Sequence, residues 1–394
     1  MKAFLFNSHS SLIMRIFYIT HTYSLEGGGG GEVFCSNFLR ELVSRGHEIF
    51  VFTTRSEDFS KQECELGIKV FHAPSFGHHA FWKFEYPLFA NKAIELAKEF
   101  GAEIVHSQND VFPALIGQKV SKALKIPHVV AIEYLSDKAV SLNLKLTFAL
   151  NKMFLPKISC NKMVSWSNMV IDSFLIPWGI PKQKIELISG AIDLNSYSPK
   201  AVSLPEIQKF GKNLIVSAKP LHSTNAKGIS YVIHAMKTVR EKHSDWKYVI
   251  VGGGEAQFGL FDLVKNLGLK DTVFFAGVLS AEKIPGAYSA ASIVAHSFAF
   301  KATTSIALME SMGSGKAIVA TDFGEVANTL KESGLLVKPK DPNSIAAGIN
   351  KLIENPALRQ ELGKKARITA EKNYGVPAIV ERFEKLYAAQ ASLV

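Results

Sequence analysis

Short apolar segments alternate along the chain with longer segments whose apolar positions recur at helical spacing. Residues 15–20 and 49–53 are nearly continuous apolar runs, which are typical of strands buried on both faces. Between them, residues 32–45 place apolar side chains on one face of a predicted helix, and Gly46 ends it. A strand, a helix and a second strand with short connections predict a right-handed crossover between parallel strands. The beginning of the chain therefore predicts an α/β fold.

The same alternation continues through the first half of the chain and restarts in the second half. In the first half, further strands are predicted at residues 68–72, 103–106, 128–132, 162–165 and 185–188. In the second half, strands are predicted at residues 213–217, 248–251, 272–276, 292–296, 317–320 and 335–337. Helices are predicted there at residues 228–243, 258–267, 280–290, 304–313, 342–354, 356–372 and 376–390. Two consecutive doubly wound parallel sheets are expected, with ligands bound in the cleft beyond the carboxyl ends of the strands.

The break between the two halves sets the predicted domain boundaries. The stretch at residues 195–211 lacks a clear period and contains two prolines, so we interpret it as a linker. We expect an N-terminal arm at 1–13, a first Rossmann-like domain at 14–196 and a second at 212–375. The final helix, within 376–394, is expected to pack back on the first domain.

Composition excludes several classes of protein. The chain has 394 residues, more than one ordinary core accommodates, and 47% of them are hydrophobic and 20% charged, as in globular proteins. Cys35, Cys64 and Cys160 lie far apart and predict neither a disulfide framework nor a zinc site, which fits a reducing cytoplasm. No apolar run reaches the roughly 18 residues of a membrane span. No secretory cleavage site follows the N-terminal residues.

The charge of the chain allows two interpretations. The formal net charge is +10 at pH 7. A solvated basic surface is one explanation, and attraction to anionic phosphates on a substrate or a membrane is the other. Nucleic acid is not an expected partner, because no basic helix with interleaved aromatic residues occurs in the sequence.

Two common phosphate-binding motifs are approached in this sequence but not completed. Residues 313–316 read Gly-Ser-Gly-Lys, but Glu310 and Ala317 occupy positions where a P-loop needs glycine and serine or threonine. Neither glycine cluster completes a Gly-x-Gly-x-x-Gly pattern, because Glu32 and Gln257 stand where the third glycine is needed. The sequence therefore disfavours a P-loop nucleotide site and a nicotinamide cofactor.

Six motifs occur in a fixed order around the predicted cleft. They are a glycine-rich loop at 27–31 followed by Arg-Gly-His-Glu at 45–48, Gly-Ala-Ile-Asp-Leu at 190–194, Lys219 with Lys227 and Gly228, Val-Gly-Gly-Gly-Glu at 251–255, Phe-Ala-Gly-Val at 275–278, and a segment at 303–315 that contains Glu310. In this order they resemble the motifs of glycosyltransferase family 4, a large family of retaining sugar transferases with the GT-B fold. The resemblance runs from about Met14 to the end of the chain. It implies two Rossmann-like domains that face a central cleft.

The resemblance assigns roles to motif residues near the donor diphosphate. The glycine-rich loop, with Gly29 and Gly30, faces the diphosphate and the acceptor, since glycines permit close approach and a helix N-terminus favours anions. Lys219 and Lys227 match two cationic residues of the family. Both are expected in the loop after the first strand of the second sheet. In the family they hold the diphosphate and stabilise charge on the leaving group. A solvated pair of lysines is the alternative explanation.

Further motif residues match positions that contact the nucleotide in the family. Backbone near Gly253 and Val278 approaches the nucleotide and its base. Glu310 matches the carboxylate that binds the ribose hydroxyls, with a solvated helix carboxylate as the alternative. The first residues of that helix can hold a phosphate through free N–H groups. They are Thr304, Ser305 and Ile306.

The match to the family fails at three positions around one pocket. Ala302 occupies the position of the first glutamate of the signature helix, which contacts the donor sugar. Glu133 ends a strand where many members carry a histidine near the donor sugar, and we count it among the candidate substrate-binding residues. Glu325 and Asn328 stand where a glycine and a glutamate are usual. These changes predict either altered sugar specificity or lost catalysis.

Two functions are consistent with the sequence. The first is a retaining transferase that moves a sugar from a nucleotide-diphosphate sugar to a hydroxyl of a glycan, lipid-linked or small-molecule acceptor. Lys219, Lys227 and Glu310 are its candidate catalytic residues. Neither a metal nor a cofactor is expected, because no Asp-x-Asp motif or ligand cluster occurs. The second function is that of a catalytically impaired relative that binds sugar nucleotides or serves as a scaffold.

The acceptor side is expected on the first domain of a cytoplasmic protein. Residues 71–89 are rich in aromatic rings and histidines, and residues 138–162 interleave lysines with apolar side chains. Such a segment can lie in an anionic interface at the inner face of a membrane. A helix that packs on the sheet while its lysines point to water is the alternative interpretation.

Overall fold

The computed structural model describes residues 13–21, 23, 30–53, 62–73, 82–133, 135, 142–300 and 305–392. The strands in this part of the chain are β1 (Arg15–Thr20), β2 (Glu48–Thr53), β3 (Gln62–Glu65), β4 (Ile68–His72), β5 (Ile104–Gln108), β6 (His128–Ile132), β7 (Lys162–Ser165), β8 (Ile185–Leu187), β9 (Leu214–Ala218), β10 (Lys247–Val251), β11 (Val273–Gly277), β12 (Ile293–His296), β13 (Ala317–Thr321) and β14 (Leu335–Val337). The helices are α1 (Gly30–Ser44), α2 (Trp82–Phe100), α3 (Val111–Leu124), α4 (Leu142–Phe154), α5 (Asn168–Val170), α6 (Pro205–Gln208), α7 (Ser223–Lys242), α8 (Gln257–Asn266), α9 (Ile284–Ala290), α10 (Ile306–Gly313), α11 (Val326–Leu330), α12 (Pro342–Glu354), α13 (Pro356–Asn373) and α14 (Val376–Ala391).

These strands form two sheets that are wound in both directions from a central strand. The first has the order β3-β4-β2-β1-β5-β6-β7-β8 and the second the order β11-β10-β9-β12-β13-β14. Neighbouring strands are parallel except β3 and β4. The prediction of two doubly wound sheets is confirmed. Such sheets open a ligand site beyond the carboxyl ends of their central strands, here β1 with β5 and β9 with β12.

The central strands are buried on both faces. In β1, Ile16 and Tyr18 belong to one apolar cluster, whereas Phe17 and Ile19 belong to another on the opposite face. The side chains of β9 are divided between two clusters in the same way. A strand covered on both faces is apolar at successive positions, which is why the sequence pattern locates these strands so closely.

Several elements differ from the sequence pattern, among them α6, which lies inside the stretch interpreted as a linker. The pattern misses β3, because its sequence Gln-Glu-Cys-Glu is polar and it lies at a sheet edge, and it misses α11, which spans only five residues. Helix α7 begins at Ser223, before the predicted start at residue 228. Gly228 lies inside this helix, and a Cβ there would overlap the carbonyl oxygen of Ser297. Gly228 therefore allows α7 to pack closely against the backbone of Ser297, and it does not mark the start of the helix.

The last helix, α14, packs on α1 beside the first sheet. The rings of Phe383 and Phe38 lie with their centroids 4.9 Å apart. Glu384 accepts a hydrogen bond from Nη1 of Arg45 at 2.9 Å, and its other oxygen lies 3.0 Å from Nε2 of His47. The sequence motif at residues 45–48 thus holds the C-terminal helix against the first sheet.

Candidate functional site

A cleft of about 990 Å³ separates α1 from the carboxyl ends of the strands in the second sheet. One wall is the face of α1 that carries Val33, Asn37 and Arg40. The opposite wall combines the linker, the residues at or after the ends of β9, β10, β11 and β12, and the start of α10. Its residues include Tyr197, Lys219, Gly253, Val278, Phe298, Ser305, Ile306 and Glu310. The cleft therefore lies where doubly wound sheets place their ligands.

Glycines form the base of the cleft at the end of β10. Gly252 has a φ of 134°, a backbone conformation that favours glycine, and a Cβ there would overlap the carbonyl oxygen of Lys219. A Cβ on Gly253 would lie 2.7 Å from Cγ2 of Val278. Val278 itself is 79% exposed. The backbone at this end of the sheet is thus open to a ligand at close range.

Lys219 follows β9 and lies in the cleft wall with 8% of its surface exposed. Its N–H donates to the carbonyl oxygen of Val251 at 3.0 Å, which fixes the backbone. Its Nζ lies 3.6 Å from the ring centroid of Phe298. Burial lowers the pKa of this ammonium to about 7, because desolvation disfavours the charged form. A bound anion would stabilise the charge at this position.

Lys227 has a different environment from Lys219. It is exposed on α7, with its Nζ 5.9 Å from the ring centroid of Phe300. The expectation that it lies in a loop is wrong, because α7 begins at Ser223 and includes it. Lys227 is not among the described residues that line the cleft. Its side chain is therefore solvated in this structure, close to the start of the helix.

Glu310 lies on α10 and lines the cleft. Its Oε1 accepts a hydrogen bond from the hydroxyl of Tyr197 at 2.7 Å. Burial raises the pKa of Glu310 to about 7, although the bond from Tyr197 acts in the opposite direction. A linker residue therefore orients this carboxylate.

Helix α10 begins at the cleft. Ser305 is its N-cap, and the hydroxyl oxygen accepts a hydrogen bond from the N–H of Leu308 at 3.4 Å. Ile306 packs against apolar clusters of both sheets, which anchors this end of the helix. The start of a helix carries N–H groups and the positive end of the helix dipole, so it favours a phosphate.

Glu133 follows β6 and lies against the first turn of α1. Its Oε1 accepts a hydrogen bond from Nε2 of Gln108 at 2.5 Å, and a Cβ on Gly31 would lie 2.5 Å from its Oε2. Burial raises the pKa of Glu133 to about 7, with Gln108 and His21 acting in the opposite direction. A half-buried carboxyl group thus lies against the helix that forms one wall of the cleft.

Of the remaining predicted positions, only Gly30 belongs to the described residues. Gly30 is the first residue of α1, so the glycine-rich loop meets the start of this helix. Gly29, Thr304 and Ala302 lie outside the described residues.

Two protein-family models match the chain, one for each half. The model described as Glycosyltransferase Family 4 matches residues 28–196, and the model described as Glycosyl transferases group 1 matches residues 205–369. The chain belongs to glycosyltransferase family 4. The two matches together include β2 to β8 of the first sheet, all strands of the second sheet and most of the residues that line the cleft.

Curated relatives of this family 4 glycosyltransferase match along nearly the whole chain. An uncharacterized glycosyltransferase from Methanocaldococcus jannaschii is 24% identical over 392 residues, which are 95% of this chain and 98% of the relative. The α-monoglucosyldiacylglycerol synthase of Streptococcus pneumoniae is 24% identical over 380 residues, which are 92% of this chain and 84% of the relative.

Solved structures of similar proteins show the fold. Sucrose-phosphate synthase from Thermosynechococcus elongatus superimposes with a TM-score of 0.77 at 17% identity, over 96% of this chain and 100% of that chain. Anabaena HepE in complex with UDP superimposes with a TM-score of 0.73 at 18% identity, over 95% of this chain and 100% of that chain. The glycosyltransferase therefore has the GT-B architecture.

A chain of hydrogen bonds in this glycosyltransferase leads from α14 to Glu133, and sequence reasoning misses it. The hydroxyl of Tyr387 lies 2.5 Å from Nδ1 of His106, whose Nε2 lies 2.8 Å from Oε1 of Gln108. An amide oxygen only accepts, so His106 donates through Nε2 and accepts from Tyr387. Burial lowers the pKa of His106 to about 4, which keeps the ring neutral as this arrangement requires. The available signal was the run of three polar residues, His106, Ser107 and Gln108, at the end of the buried strand β5.

Arg367 is a second residue that sequence reasoning misses. It lies on α13, and its Nη1 donates to the carbonyl oxygens of Tyr197 and Gly313, both at 2.7 Å, and of Leu194 at 3.1 Å. These bonds join the linker to the end of α10. They fix Tyr197, which in turn holds the carboxylate of Glu310.

Glu325 connects the two halves of the glycosyltransferase. Its Oε1 accepts a hydrogen bond from the N–H of Met169 at 2.6 Å, and its Oε2 accepts one from Nδ2 of Asn328 at 3.0 Å. Glu325 is buried and is not among the described residues that line the cleft. This departure from the family pattern thus replaces a glycine with a contact between α11 and α5.

Two kinds of feature are absent from the described residues. No group of three or more His, Cys, Asp or Glu side chains in this part of the chain is arranged to hold a metal ion. None of the helices formed by these residues combines the length and the apolar character that crossing a bilayer requires.

Proposed function

We propose that this glycosyltransferase moves a sugar from a nucleotide-diphosphate sugar to a hydroxyl group with retention of configuration. The observation that carries the proposal is the environment of Lys219. This buried cation lines the cleft opposite α1, in the same wall as the start of α10. A diphosphate between them supplies the negative charge that both groups favour.

The nucleotide is proposed to bind along the ends of β10 and β11. Gly252 and Gly253 permit close approach there, and Val278 offers an exposed apolar surface to a base. Glu310, whose carboxylate Tyr197 orients, is proposed to bind the ribose hydroxyls. Structures of Anabaena HepE with UDP and with UDP-glucose support a uridine nucleotide as the first ligand to test.

Lys227 is proposed as a second contact for the diphosphate. It is exposed near the start of α7, and a lysine side chain reaches a ligand through four rotatable carbons. Together with Lys219 it would offset charge that develops on the leaving diphosphate.

Retention is proposed to follow from attack on the face of the sugar that carries the leaving group. The acceptor oxygen bonds to the anomeric carbon as the bond from that carbon to the phosphate oxygen breaks. The bonding electrons stay on the diphosphate, whose oxygen takes the proton of the acceptor hydroxyl. This route needs no side-chain base, so it tolerates Ala302 at the position of the family's glutamate. Lys219 and the start of α10 stabilise the departing charge.

We propose that the reaction uses neither a metal ion nor a cofactor. The sequence contains no Asp-x-Asp motif of the kind that chelates a metal with a sugar nucleotide. The positive groups of the second sheet supply counter-charge in its place.

The acceptor is proposed to bind beside α1 on the first domain, at the inner face of a cytoplasmic membrane. The relationship to α-monoglucosyldiacylglycerol synthase supports a lipid-linked acceptor, with a glycan or a small molecule as the other candidates. Lys145, Lys152 and Met153 are exposed on α4. Basic and apolar side chains on one helix favour contact with an anionic interface. Salt-sensitive sedimentation with anionic vesicles tests this contact, and no binding at low salt would contradict it.

The decisive experiment combines binding with product analysis. A thermal-shift panel of UDP, GDP, ADP and their sugar derivatives identifies the donor, because a ligand that binds the folded state raises its stability. Transfer to glycan, lipid and small-molecule acceptors is then measured with the bound donor, and the anomeric configuration of the product is read by NMR. A retained configuration without added metal supports the proposal. Binding without hydrolysis or transfer would favour the impaired relative, and loss of activity with a chelator would contradict metal independence.

A further inference from the structure

The surroundings of Lys219 are unusual for a buried lysine. Buried charges are normally paired with a charge of opposite sign, but no carboxylate of the described residues forms an ion pair with this ammonium. Its close neighbour is a ring instead. The distance of 3.6 Å from Nζ to the centroid of Phe298 lies well inside the limit of a cation–π contact, which is about 6 Å.

Phe298 is itself held in place. Its N–H donates to Oγ1 of Thr321 at 2.9 Å, and its ring lies nearly parallel to that of His296, with an interplanar angle of 12°. Burial, together with the charge of Lys219, lowers the pKa of His296, so the ring behind Phe298 is neutral. The phenyl ring therefore presents its face to Lys219 from a fixed position.

We propose that Phe298 is a positioning residue that keeps the Lys219 ammonium charged and directed toward the donor diphosphate, an inference that rests on the proposed function. A ring face attracts a cation without neutralising it. A carboxylate at the same place would cancel the charge, and an anionic ligand would have to displace it. The ring therefore favours the charged form of Lys219 and leaves that charge available to the diphosphate.

The other charged side chains of the cleft do not take over this role. Those among the described lining residues are Arg40, Asp193, Glu282 and Glu310, and they belong to α1, the linker, the segment after β11 and α10. None forms an ion pair with Lys219, whose pKa is lowered by burial alone. Phe298 is thus the group whose removal changes the environment of Lys219 most directly.

The second lysine provides a comparison within the same molecule. Nζ of Lys227 lies 5.9 Å from the ring centroid of Phe300, and both residues are exposed. A cation–π contact is weaker at this distance and in water. Phe300→Leu is therefore expected to weaken nucleotide binding less than Phe298→Leu does.

The test measures the dissociation constant for UDP by calorimetry, with GDP and ADP as further probes. Phe298→Leu is expected to weaken binding about tenfold, and more at alkaline than at neutral pH, whereas Phe298→Tyr keeps the ring and binds like the wild type. In a Lys219→Ala background, Phe298→Leu should cause no further loss, since the ring acts through the lysine. Phe258→Leu, at a ring that is 77% exposed on α8, is the matched control and should leave binding unchanged.

Each outcome has one interpretation. If Lys219→Ala loses UDP but Phe298→Leu binds it like the wild type, the inference about Phe298 is wrong while the diphosphate site stands. An equal loss from Phe298→Leu with and without Lys219 means that the ring contacts the nucleotide directly, which also overturns it. If the wild type binds none of the three nucleotides, the proposed function fails and the inference fails with it. If Phe298→Leu does not fold, Phe298→Met is measured in its place.

Discussion

The hydroxyl of Tyr197 donates a hydrogen bond of 2.7 Å to Oε1 of Glu310, and the two residues lie 113 positions apart in the sequence. The bond joins the linker to the helix that begins at the cleft, and Arg367 donates a hydrogen bond to the carbonyl oxygen of Tyr197. One oxygen of Glu310 is therefore engaged within the protein, while the residue as a whole lines the cleft. A carboxylate held in this way is already oriented before a ribose arrives.

Tyr197→Phe removes the hydroxyl and keeps the ring. We expect UDP to bind about fivefold more weakly. The hydrogen bond orients the carboxylate of Glu310, and its loss should reduce the free energy of UDP binding by about 1 kcal/mol. The same change should raise the pKa of Glu310, since the bond from Tyr197 lowers it. Calorimetry with UDP measures the first effect. Tyr374→Phe is the control: its hydroxyl donates to the carbonyl oxygen of Thr329 at 2.9 Å, away from Glu310. Equal losses from both variants would contradict the role of Tyr197.

The pH dependence of donor binding follows from Lys219. Its pKa is about 7 in the free protein, so the ammonium is charged below neutrality and loses its proton above it. A bound anion favours the charged form, and affinity should therefore fall as pH rises above 7, by up to about tenfold per pH unit. This pH dependence is measured with a nucleotide sugar, since its diphosphate diester has no group that titrates as the pH rises above 7.

Lys219→Arg is the matched variant for this pH dependence. A guanidinium keeps its charge at every pH of the experiment, so the variant should bind with an affinity that varies little between neutral and alkaline pH. Glu310 also has a pKa of about 7, and Glu310→Gln in both backgrounds separates its contribution. Equal pH dependence in the wild type and in Lys219→Arg would show that another group titrates.

The sequence predicts the two sheets because both are built from strands covered on both faces, and such strands are continuous apolar runs. It misses β3 because an edge strand buries little and needs no apolar run. It finds Lys219 and Glu310 because each lies in a motif of neighbouring residues, although the ligand contacts assigned to them stay predictions. It does not find Phe298, Arg367 or the contact of Tyr387 with His106. Those contacts join residues far apart in sequence, and only the packed structure brings them together.

Acid should destabilise the first sheet through two buried histidines. Burial lowers the pKa of His106 to about 4 and of His128 to about 3, below the value of about 6.5 for an unfolded chain. The unfolded state therefore binds more protons as the pH falls below 6.5, and stability is lost from there down to the folded pKa values. At pH 5 the expected loss is about 2 kcal/mol for each histidine.

Urea unfolding at neutral pH and near pH 5 measures this loss. His128→Gln removes one of the two groups, so its free energy of unfolding should fall less on acidification than that of the wild type. His234→Gln changes an exposed histidine on α7 and should leave the acid dependence as it is. The explanation fails if His128→Gln and the wild type lose the same free energy between the two pH values.

Gly31→Ala tests whether the placement of Glu133 matters for the acceptor side. A Cβ on Gly31 would lie 2.5 Å from Oε2 of Glu133, so the carboxylate must move away from α1 and from its bond with Gln108. We expect a rise in KM for the acceptor and a fall in kcat, with unchanged affinity for UDP, because Lys219 and Glu310 lie on the other wall of the cleft.

Gly259→Ala on α8 is the matched control: a Cβ there meets nothing within 4 Å, and the change should stabilise the helix by about 0.5–1 kcal/mol. A loss of UDP affinity in Gly31→Ala would assign Glu133 to the donor side. Unchanged steady-state kinetics would assign it to the scaffold. Either result would contradict a role at the acceptor.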